Sequence, residues 1–318
     1  MKKKLLAFMM AALMVLGDVT PALSVQAAEM QETVDVSMGN PQVSADAQSE
    51  TLLDVSSNQS IVAVYVDDGK GAAAELVNTT KTDEEGGWSL DGETGTLTLS
   101  GFAGKSIYAM GDLNIVLDGT NTITVPADLG YGIKADGALT IDDTTSPAVD
   151  SLSVSVTDAT VSTTLLETGS YGEEEAVTIN GGTVSLEGTS GEASLYGIGR
   201  WAYFYNDAVV SVDLSDEGNK EYMVGMNSAV YTYTSGAVSV SVDSANSSSY
   251  GVYSLYTGDG SGNIALTAKG AAHNIQNTFS LDDDMTGNVT VKGYLAYVNA
   301  SKAKWTVQNQ DSFLWSYY

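Results

Sequence analysis

Short runs in which apolar residues alternate with serine, threonine or aspartate recur from Ile61 to the end of the chain. Successive side chains of a strand point to opposite faces of a sheet, so such a run is typical of a strand with one buried face. No segment after the N-terminal thirty residues shows the 3.6-residue apolar period of an amphipathic helix. The pattern predicts an all-β protein. Clear examples are residues 96–99, 113–117, 152–156, 238–242 and 289–291.

The predicted strands recur at a nearly fixed distance along the chain. A glycine stands just before, or one residue before, several strands. Two such glycines early in the chain lie 26 residues apart, and three in a later group lie 26 and 25 residues apart. A triplet of tyrosine, glycine or methionine, and an aliphatic residue keeps a similar interval. Residues 144–175 fit the interval poorly, which predicts a loop insertion there. The glycines are Gly111, Gly137, Gly236, Gly262 and Gly287, and the triplets begin at Tyr131, Tyr196, Tyr222, Tyr250 and, with histidine in place of tyrosine, His273.

A fixed interval of this length indicates a solenoid, in which each repeat contacts its neighbours. We therefore predict a right-handed parallel β-helix with coils of about 25 residues over residues 95–318, preceded by an N-terminal capping region over 61–94. Coils would stack at about 4.8 Å, the usual separation of paired strands. The competing fold is an antiparallel β-sandwich, which also has short alternating strands. A sandwich gives no reason for the repeating triplet, so the pattern favours the β-helix.

The N-terminus predicts export. Three lysines precede an apolar run of about a dozen residues, which is too short to span a bilayer as a helix, and small residues follow at a cleavage position. We predict a signal peptide over residues 1–28 and a disordered spacer over 29–60, which is polar and lacks an apolar period. The protein is thus expected to be secreted and to act outside the cell or at a bacterial cell surface. The chain has no cysteine, so no disulfide stabilises it.

Charge narrows the range of partners. The full chain has a net charge of −27, and removing residues 1–28 leaves ten basic residues against 39 acidic ones, a net charge near −29. Nucleic acid needs clusters of Lys and Arg, whereas after residue 28 the one arginine stands alone and the lysines are scattered, so we expect no nucleic-acid partner. The same charge argues against direct binding to anionic lipid, and against an anionic polysaccharide unless a divalent cation bridges the two.

One part of the chain resembles a known family. The motifs are GWSLD at 87–91, GTLTLSGF at 95–102, SIYA at 106–109, DLNIVLDGTNTI at 112–123 and YGI at 131–133. They resemble the opening of β-helical surface proteins of gut clostridia that are described as carbohydrate-binding-domain proteins, within the pectate-lyase-like class. The likeness covers residues 87–142. It implies an extracellular β-helix with calcium and acidic plant polysaccharide as ligands, and it implies no catalytic residue.

Catalytic chemistry has few candidates in this sequence. A pectate lyase needs a basic residue to remove a proton from the sugar and an electropositive cleft. Arg200 is the one arginine, and its aromatic neighbours favour a surface cation stacked on rings. His273 is the one histidine and occupies the tyrosine position of the repeat, which favours a structural role. We therefore predict that the protein is not an enzyme, with a polysaccharide lyase or glycoside hydrolase as the least favoured alternative.

Two sets of residues are the best candidates for binding. Carboxylates that converge in turns could hold calcium through oxygen ligands, although solvated acidic turns are an equally good explanation. Tyrosines outnumber phenylalanines 17 to five, and tyrosine rings can stack on sugars while their hydroxyls form hydrogen bonds, although rings that only stack on one another are equally expected. The predicted calcium ligands are Asp282, Asp283, Asp284, Asp142 and Asp143. The predicted carbohydrate-binding residues are Trp201, Tyr203, Tyr205, Tyr231, Tyr233, Tyr253 and Tyr256.

These observations lead to one main hypothesis and two alternatives. The first is a secreted or surface, non-catalytic protein for adhesion or carbohydrate binding, with a polysaccharide or cell-surface glycan as partner and Ca²⁺ as cofactor. The second is a structural component or spacer of the cell envelope. The enzyme is the third.

Overall fold

A computed structural model describes most of the C-terminal four-fifths of the chain. The described residues are 63–70, 75–143, 150–169, 175–216, 221–282, 284–294 and 305–308, the last of these as a strand without side-chain detail. The predicted signal peptide and spacer, and Asp283, lie outside these ranges. No helix long and apolar enough to cross a membrane occurs within them.

The described part of the chain is all-β, as the alternating pattern predicts. Its strands are β1 (Ala63–Asp67), β2 (Glu75–Val77), β3 (Lys81–Asp83), β4 (Trp88–Asp91), β5 (Thr96–Ser100), β6 (Ala103–Gly104), β7 (Ser106–Met110), β8 (Leu113–Asp118), β9 (Thr120–Val125), β10 (Tyr131–Ala135), β11 (Leu139–Asp143), β12 (Ser151–Ala159), β13 (Thr163–Thr168), β14 (Val177–Asn180), β15 (Thr183–Ser190), β16 (Leu195–Ile198), β17 (Ala202–Phe204), β18 (Val209–Ser215), β19 (Met223–Thr232), β20 (Val238–Ser244), β21 (Tyr250–Thr257), β22 (Ile264–Gly270), β23 (His273–Ser280), β24 (Val289–Lys292) and β25 (Trp305–Gln308).

From β5 onward the strands pair in parallel and form three columns. The first column is β7, β10, β13 and β16, followed by the N-terminal halves of β19, β21 and β23. The second is β5, β8, β11, β14 and β17, followed by the C-terminal halves of the same three strands. The third is β6, β9, β12, β15, β18, β20, β22, β24 and β25. From β7 to β24 the chain visits the first, second and third columns in that order on every pass.

The interval between paired residues explains the repeat seen in the sequence. Ser211 lies beside Ser185 and the two hydroxyls are hydrogen-bonded at 3.0 Å, 26 residues apart. The register between Tyr131 and Thr164 instead spans 33 residues. The longer interval falls where a loop insertion is predicted, and residues 144–149 and 170–174 of that region lie outside the described part.

Within the described ranges, antiparallel pairing occurs only at β1 to β4 and their partners β5 and β7. β1 pairs with β2 and with β7, β3 pairs with β4, and β4 pairs with β5. β1 and β2 therefore extend the first column beyond β7, and β3 and β4 extend the second column beyond β5. A capping role for residues 61–94 remains a prediction.

The core lies between the columns and is built from the apolar half of each alternating run. In β20, Val238, Val240 and Val242 are buried while Ser239 and Ser241 are half-buried. Val240 pairs with Val212 on one side and Leu266 on the other, both buried as well. Because parallel neighbours in register present side chains to the same face, each inward position becomes a continuous row of apolar residues.

Close packing explains the glycine of the tyrosine triplet. A Cβ on Gly197 would lie 2.5 Å from the Gly225 carbonyl oxygen and 2.6 Å from Val212 Cγ1, and one on Gly225 would lie 2.4 Å from the Gly251 oxygen and 2.6 Å from Val240 Cγ1. Real atoms do not approach so closely. Glycine in this row thus allows the first column to approach the valines of the third.

The structure corrects the alignment of one triplet. Tyr196 pairs with Val224 rather than with Tyr222, and Val224 pairs with Tyr250. The row of glycines decides which residues pair. Gly225 can lie between Gly197 and Gly251 without a clash, whereas the side chain of Met223 could not. Tyr222 precedes β19, but its ring still lies between those of Tyr196 and Tyr250, at centroid distances of 6.0 and 6.1 Å.

Candidate functional site: a tyrosine ladder

Three tyrosines from successive passes of the chain lie side by side in the second column. Tyr203 of β17 pairs with Tyr231 of β19, which pairs with Tyr256 of β21. Tyr203 and Tyr231 lie between buried residues, so their own side chains point outward. The ring centroids of Tyr203 and Tyr231 are 5.1 Å apart, and those of Tyr231 and Tyr256 are 4.9 Å apart, with an angle of 12° between the planes in both pairs.

Three further aromatic residues extend this stack sideways. Tyr205 stacks on Tyr233 at 5.4 Å and lies 6.2 Å from Tyr203, and the planes of each pair are nearly parallel. Trp201 stacks on Tyr231 at 5.8 Å with an angle of 25°. We call this surface the tyrosine ladder, and it consists of Trp201, Tyr203, Tyr205, Tyr231, Tyr233 and Tyr256. Six of the seven predicted carbohydrate-binding residues therefore come together.

Ring faces of the ladder cover one another. Parallel rings at about 5 Å form the offset stacks that aromatic pairs prefer. The ring of Tyr233 also lies against the backbone of Gly258, where a Cβ would approach Tyr233 Cδ1 to 2.2 Å. Tyr233 is still 43% exposed, and the other five residues are half-buried. The ladder therefore presents mainly ring edges to the solvent.

The phenol of Tyr205 is a hydrogen-bond donor at neutral pH. Burial raises the pKa of the Tyr205 hydroxyl, and the neighbouring Tyr233 raises it further. A protonated phenol donates one hydrogen bond and accepts others. The ladder can thus pair with a ligand that carries both donors and acceptors.

Tyr253 does not belong to the ladder, contrary to the prediction that groups it with Tyr256. The register of β21 shifts between Val252 and Ser254, which separates the two tyrosines between the first and second columns. Tyr253 is 40% exposed and its ring lies 6.2 Å from that of Tyr250.

Tyr250 is the centre of a second aromatic row, which runs along the first column. In the sequence this row is visible only as the repeating triplet. The row contains Tyr196, Tyr222, Tyr250 and Tyr253, with rings inclined to one another rather than stacked in parallel. Tyr250 is buried and donates its hydroxyl to Asn227 Oδ1 at 2.7 Å. Burial is the main cause that raises the pKa of this hydroxyl, and a hydrogen bond with Tyr222 raises the pKa further. Ring tilt distinguishes this row from the ladder.

Carboxylates occupy the turns after β17 and β21, which carry ladder residues, and the turn after β23, the next strand of the second column. Asp207 follows β17, Asp259 follows β21, and Asp282 and Asp284 follow β23. Asp259 and Asp284 are exposed, and Asp207 and Asp282 are half-buried. The described residues of these turns, including those after β19, contain no lysine or arginine. The one arginine, Arg200, lies on the other side of the ladder and donates Nη1 to the Gly199 oxygen at 3.3 Å.

The predicted calcium ligands do not form a complete site in the described residues, where no group of three or more acidic, histidine or cysteine side chains is arranged to hold a metal. Asp282 Oδ1 accepts the backbone N–H of Asp284 at 2.8 Å, so this carboxylate closes its own turn. Asp142 and Asp143 are consecutive in β11, and strand alternation directs their side chains to opposite faces. Asp283 lies outside the described residues, and calcium binding stays a prediction.

His273 lies where the repeat places it. It pairs with Tyr250 in the first column, and its ring is 4.5 Å from that of Tyr294. This environment of tyrosines fits the predicted structural role.

A small cavity next to the N-terminal strands contains none of the predicted site residues. Its volume is about 220 Å³, and its walls come from β3, β4, β5 and the turn between β3 and β4. Hydroxyls and two carboxylates are among the groups that line it, and several of the lining residues belong to the motifs at 87–91 and 95–102. The lining residues are Thr82, Asp83, Glu84, Gly87, Trp88, Ser89, Thr98 and Ser100.

Comparisons of the chain with protein-family models, with curated proteins and with solved structures find no match.

Proposed function

We propose that the chain is a secreted, non-catalytic protein that binds a polysaccharide or cell-surface glycan through the tyrosine ladder. The observation that carries the proposal is the alignment of six half-exposed aromatic residues from three passes of the chain on one surface. Tyrosine combines a large ring with a polar edge, which suits a partner that is rich in hydroxyls. A ladder repeated along successive strands also suits a ligand that is itself a repeating chain.

The scaffold in this proposal is a right-handed parallel β-helix. Three columns of parallel strands, visited in constant order, support it. Crossover connections between parallel strands of one sheet are right-handed in about 98% of cases, which supports the handedness. The antiparallel strands β1 to β4 would then cover the N-terminal end, in keeping with a cap over residues 61–94.

One observation favours a structural envelope protein as a second candidate. The parallel rings of the ladder cover each other's faces, which is what a purely stabilising stack requires. Such a protein would display or shield the cell surface without binding a ligand. The two candidates therefore differ in whether any glycan binds.

The test is a glycan array probed with the purified protein, in calcium and in chelator. We expect saturable binding to at least one polysaccharide, and loss of that binding in Tyr205→Ala and Tyr233→Ala. Tyr65→Ala is the matched control, because Tyr65 also stacks on another tyrosine, Tyr108, but lies in β1, outside the ladder. We also expect no unsaturated products from pectin. Absence of binding to every glycan would favour the structural candidate, and pectin turnover that is lost in Arg200→Ala would favour an enzyme.

A further inference from the structure

The chemistry of the ladder restricts the class of glycan, provided that the proposed function is correct. Three properties of the ladder impose this restriction: the orientation of its rings, the spacing of its rungs and the charge along its border.

Ring orientation argues against the usual mode of aromatic sugar recognition. A sugar that stacks on an aromatic ring needs an open ring face, and the faces of Tyr231 are occupied by Tyr203 on one side and Tyr256 on the other. The outward positions of Tyr203 and Tyr231 in their strands direct the phenolic edges, rather than the ring faces, away from the core. A phenolic oxygen both donates and accepts, so it can bond to a sugar hydroxyl even while it interacts within the protein.

Rung spacing gives the direction of the ligand. The centroids of the three rungs are 5.1 and 4.9 Å apart, close to the usual strand separation of about 4.8 Å. This distance is comparable with the length of one pyranose residue in an extended polysaccharide. A chain that runs across the strands would therefore offer one sugar to each rung, without a change of register over the three rungs.

The border of the ladder on the side of the turns disfavours acidic ligands, while Arg200 lies on the opposite side, next to Trp201. Asp207, Asp259 and Asp284 lie in the turns beside the ladder, and the described parts of those turns contain no cation. The chain as a whole has a net charge of −27. A uronate polymer would meet repulsion at the ladder and at long range, whereas a neutral polymer would not.

We infer that the tyrosine ladder binds an extended neutral polysaccharide, which runs across the strands and forms hydrogen bonds with the phenolic edges of successive rungs. This ligand differs from the acidic plant polysaccharide implied by the family resemblance. The shortest good ligand spans the three rungs Tyr203, Tyr231 and Tyr256.

Calorimetric titration of the full-length mature protein tests this inference. The probes are β-1,4-linked oligomers of glucose, mannose and xylose of increasing length, with galacturonate oligomers of the same lengths as the charged comparison. We expect at least one neutral series to bind, with an affinity that rises up to about three sugars and then changes little. Binding should be insensitive to sodium chloride, because a neutral ligand makes no ion pairs to be screened.

The decisive variant replaces Tyr203, Tyr231 and Tyr256 together by phenylalanine. Phenylalanine keeps the stack and removes three hydroxyls, so the thermal melt should be nearly unchanged while affinity falls about tenfold or more. Tyr222→Phe, in the second aromatic row, is the matched control and should bind like the wild type.

Several outcomes would overturn the inference. Undiminished binding by the triple variant would show that ring faces or other residues recognise the sugar, and stronger binding of galacturonate oligomers would show that the ligand is acidic. Either result leaves the proposed function intact, as would binding on the array to glycans other than these neutral series. Failure of every glycan to bind contradicts both proposals. Should the triple variant not fold, the length series and the salt dependence of the wild type still decide.

Discussion

At the scale of single residues, strand alternation separates positions that the core requires from positions that it tolerates. Val240 is 2% exposed and contacts a row of apolar residues, whereas the next residue, Ser241, points outward. The two positions are adjacent in sequence and have the same strand environment. Introducing a carboxylate at Val240 and, separately, at Ser241 therefore tests the effect of an inward against an outward side chain.

We expect Val240→Asp to unfold the protein or to lower its melting temperature strongly, because a buried carboxylate without a partner costs several kcal/mol. Ser241→Asp should change the melting temperature little, since surface substitutions usually alter stability by less than about 0.5 kcal/mol. Circular dichroism melts of the two variants provide the measurement. Equal melting temperatures would contradict the register of β20.

At the scale of elements, the approach of one column to another depends on a row of glycines. Gly197, Gly225 and Gly251 follow one another in the first column, and a Cβ at any of them would meet a carbonyl oxygen of the next pass. The restriction is one of space, since none of the three has a positive φ. It explains why a small residue recurs next to the tyrosine positions.

We expect Gly225→Ala to destabilise the protein, because the added methyl would lie 2.4 Å from the Gly251 oxygen and 2.6 Å from Val240 Cγ1. Overpacking of this kind costs about 1–3 kcal/mol. For a domain of this size each kcal/mol lowers the melting temperature by about 2–4 °C. Gly130→Ala is the control, since its Cβ would meet its nearest atom at 3.3 Å. A Gly225→Ala variant as stable as Gly130→Ala would argue against the close approach of the columns.

At the scale of the whole molecule, the main feature is an excess of negative charge. A net charge of −27 on the chain destabilises the compact state through repulsion between like charges. A divalent cation held by converging carboxylates would relieve part of that repulsion. The turn at Asp282 to Asp284 is the best candidate, because its carboxylates are consecutive.

We expect millimolar calcium to raise the melting temperature more than sodium at equal ionic strength. A bound ion stabilises the folded state by about 2.7 kcal/mol at a hundredfold excess over Kd, whereas sodium only screens. Asp283→Asn should abolish the part of the shift that is specific to calcium. If the two salts shift the melt equally, or if the calcium-specific shift survives in Asp283→Asn, the turn is a solvated acidic loop.

The sequence by itself determined the local features of this protein. Strand character, the buried positions of β20, the interval near 26 residues and the departure from that interval after Tyr131 follow from alternation and repetition. Both are read within one pass of the chain or between neighbouring passes. Tertiary structure decided which tyrosines meet. Tyr203, Tyr231 and Tyr256 stack because their strands are in register, while Tyr222 and Tyr253 are displaced by the glycine row and by the shift in β21. Register between strands depends on packing across the core, so equal spacing in sequence does not guarantee contact between side chains.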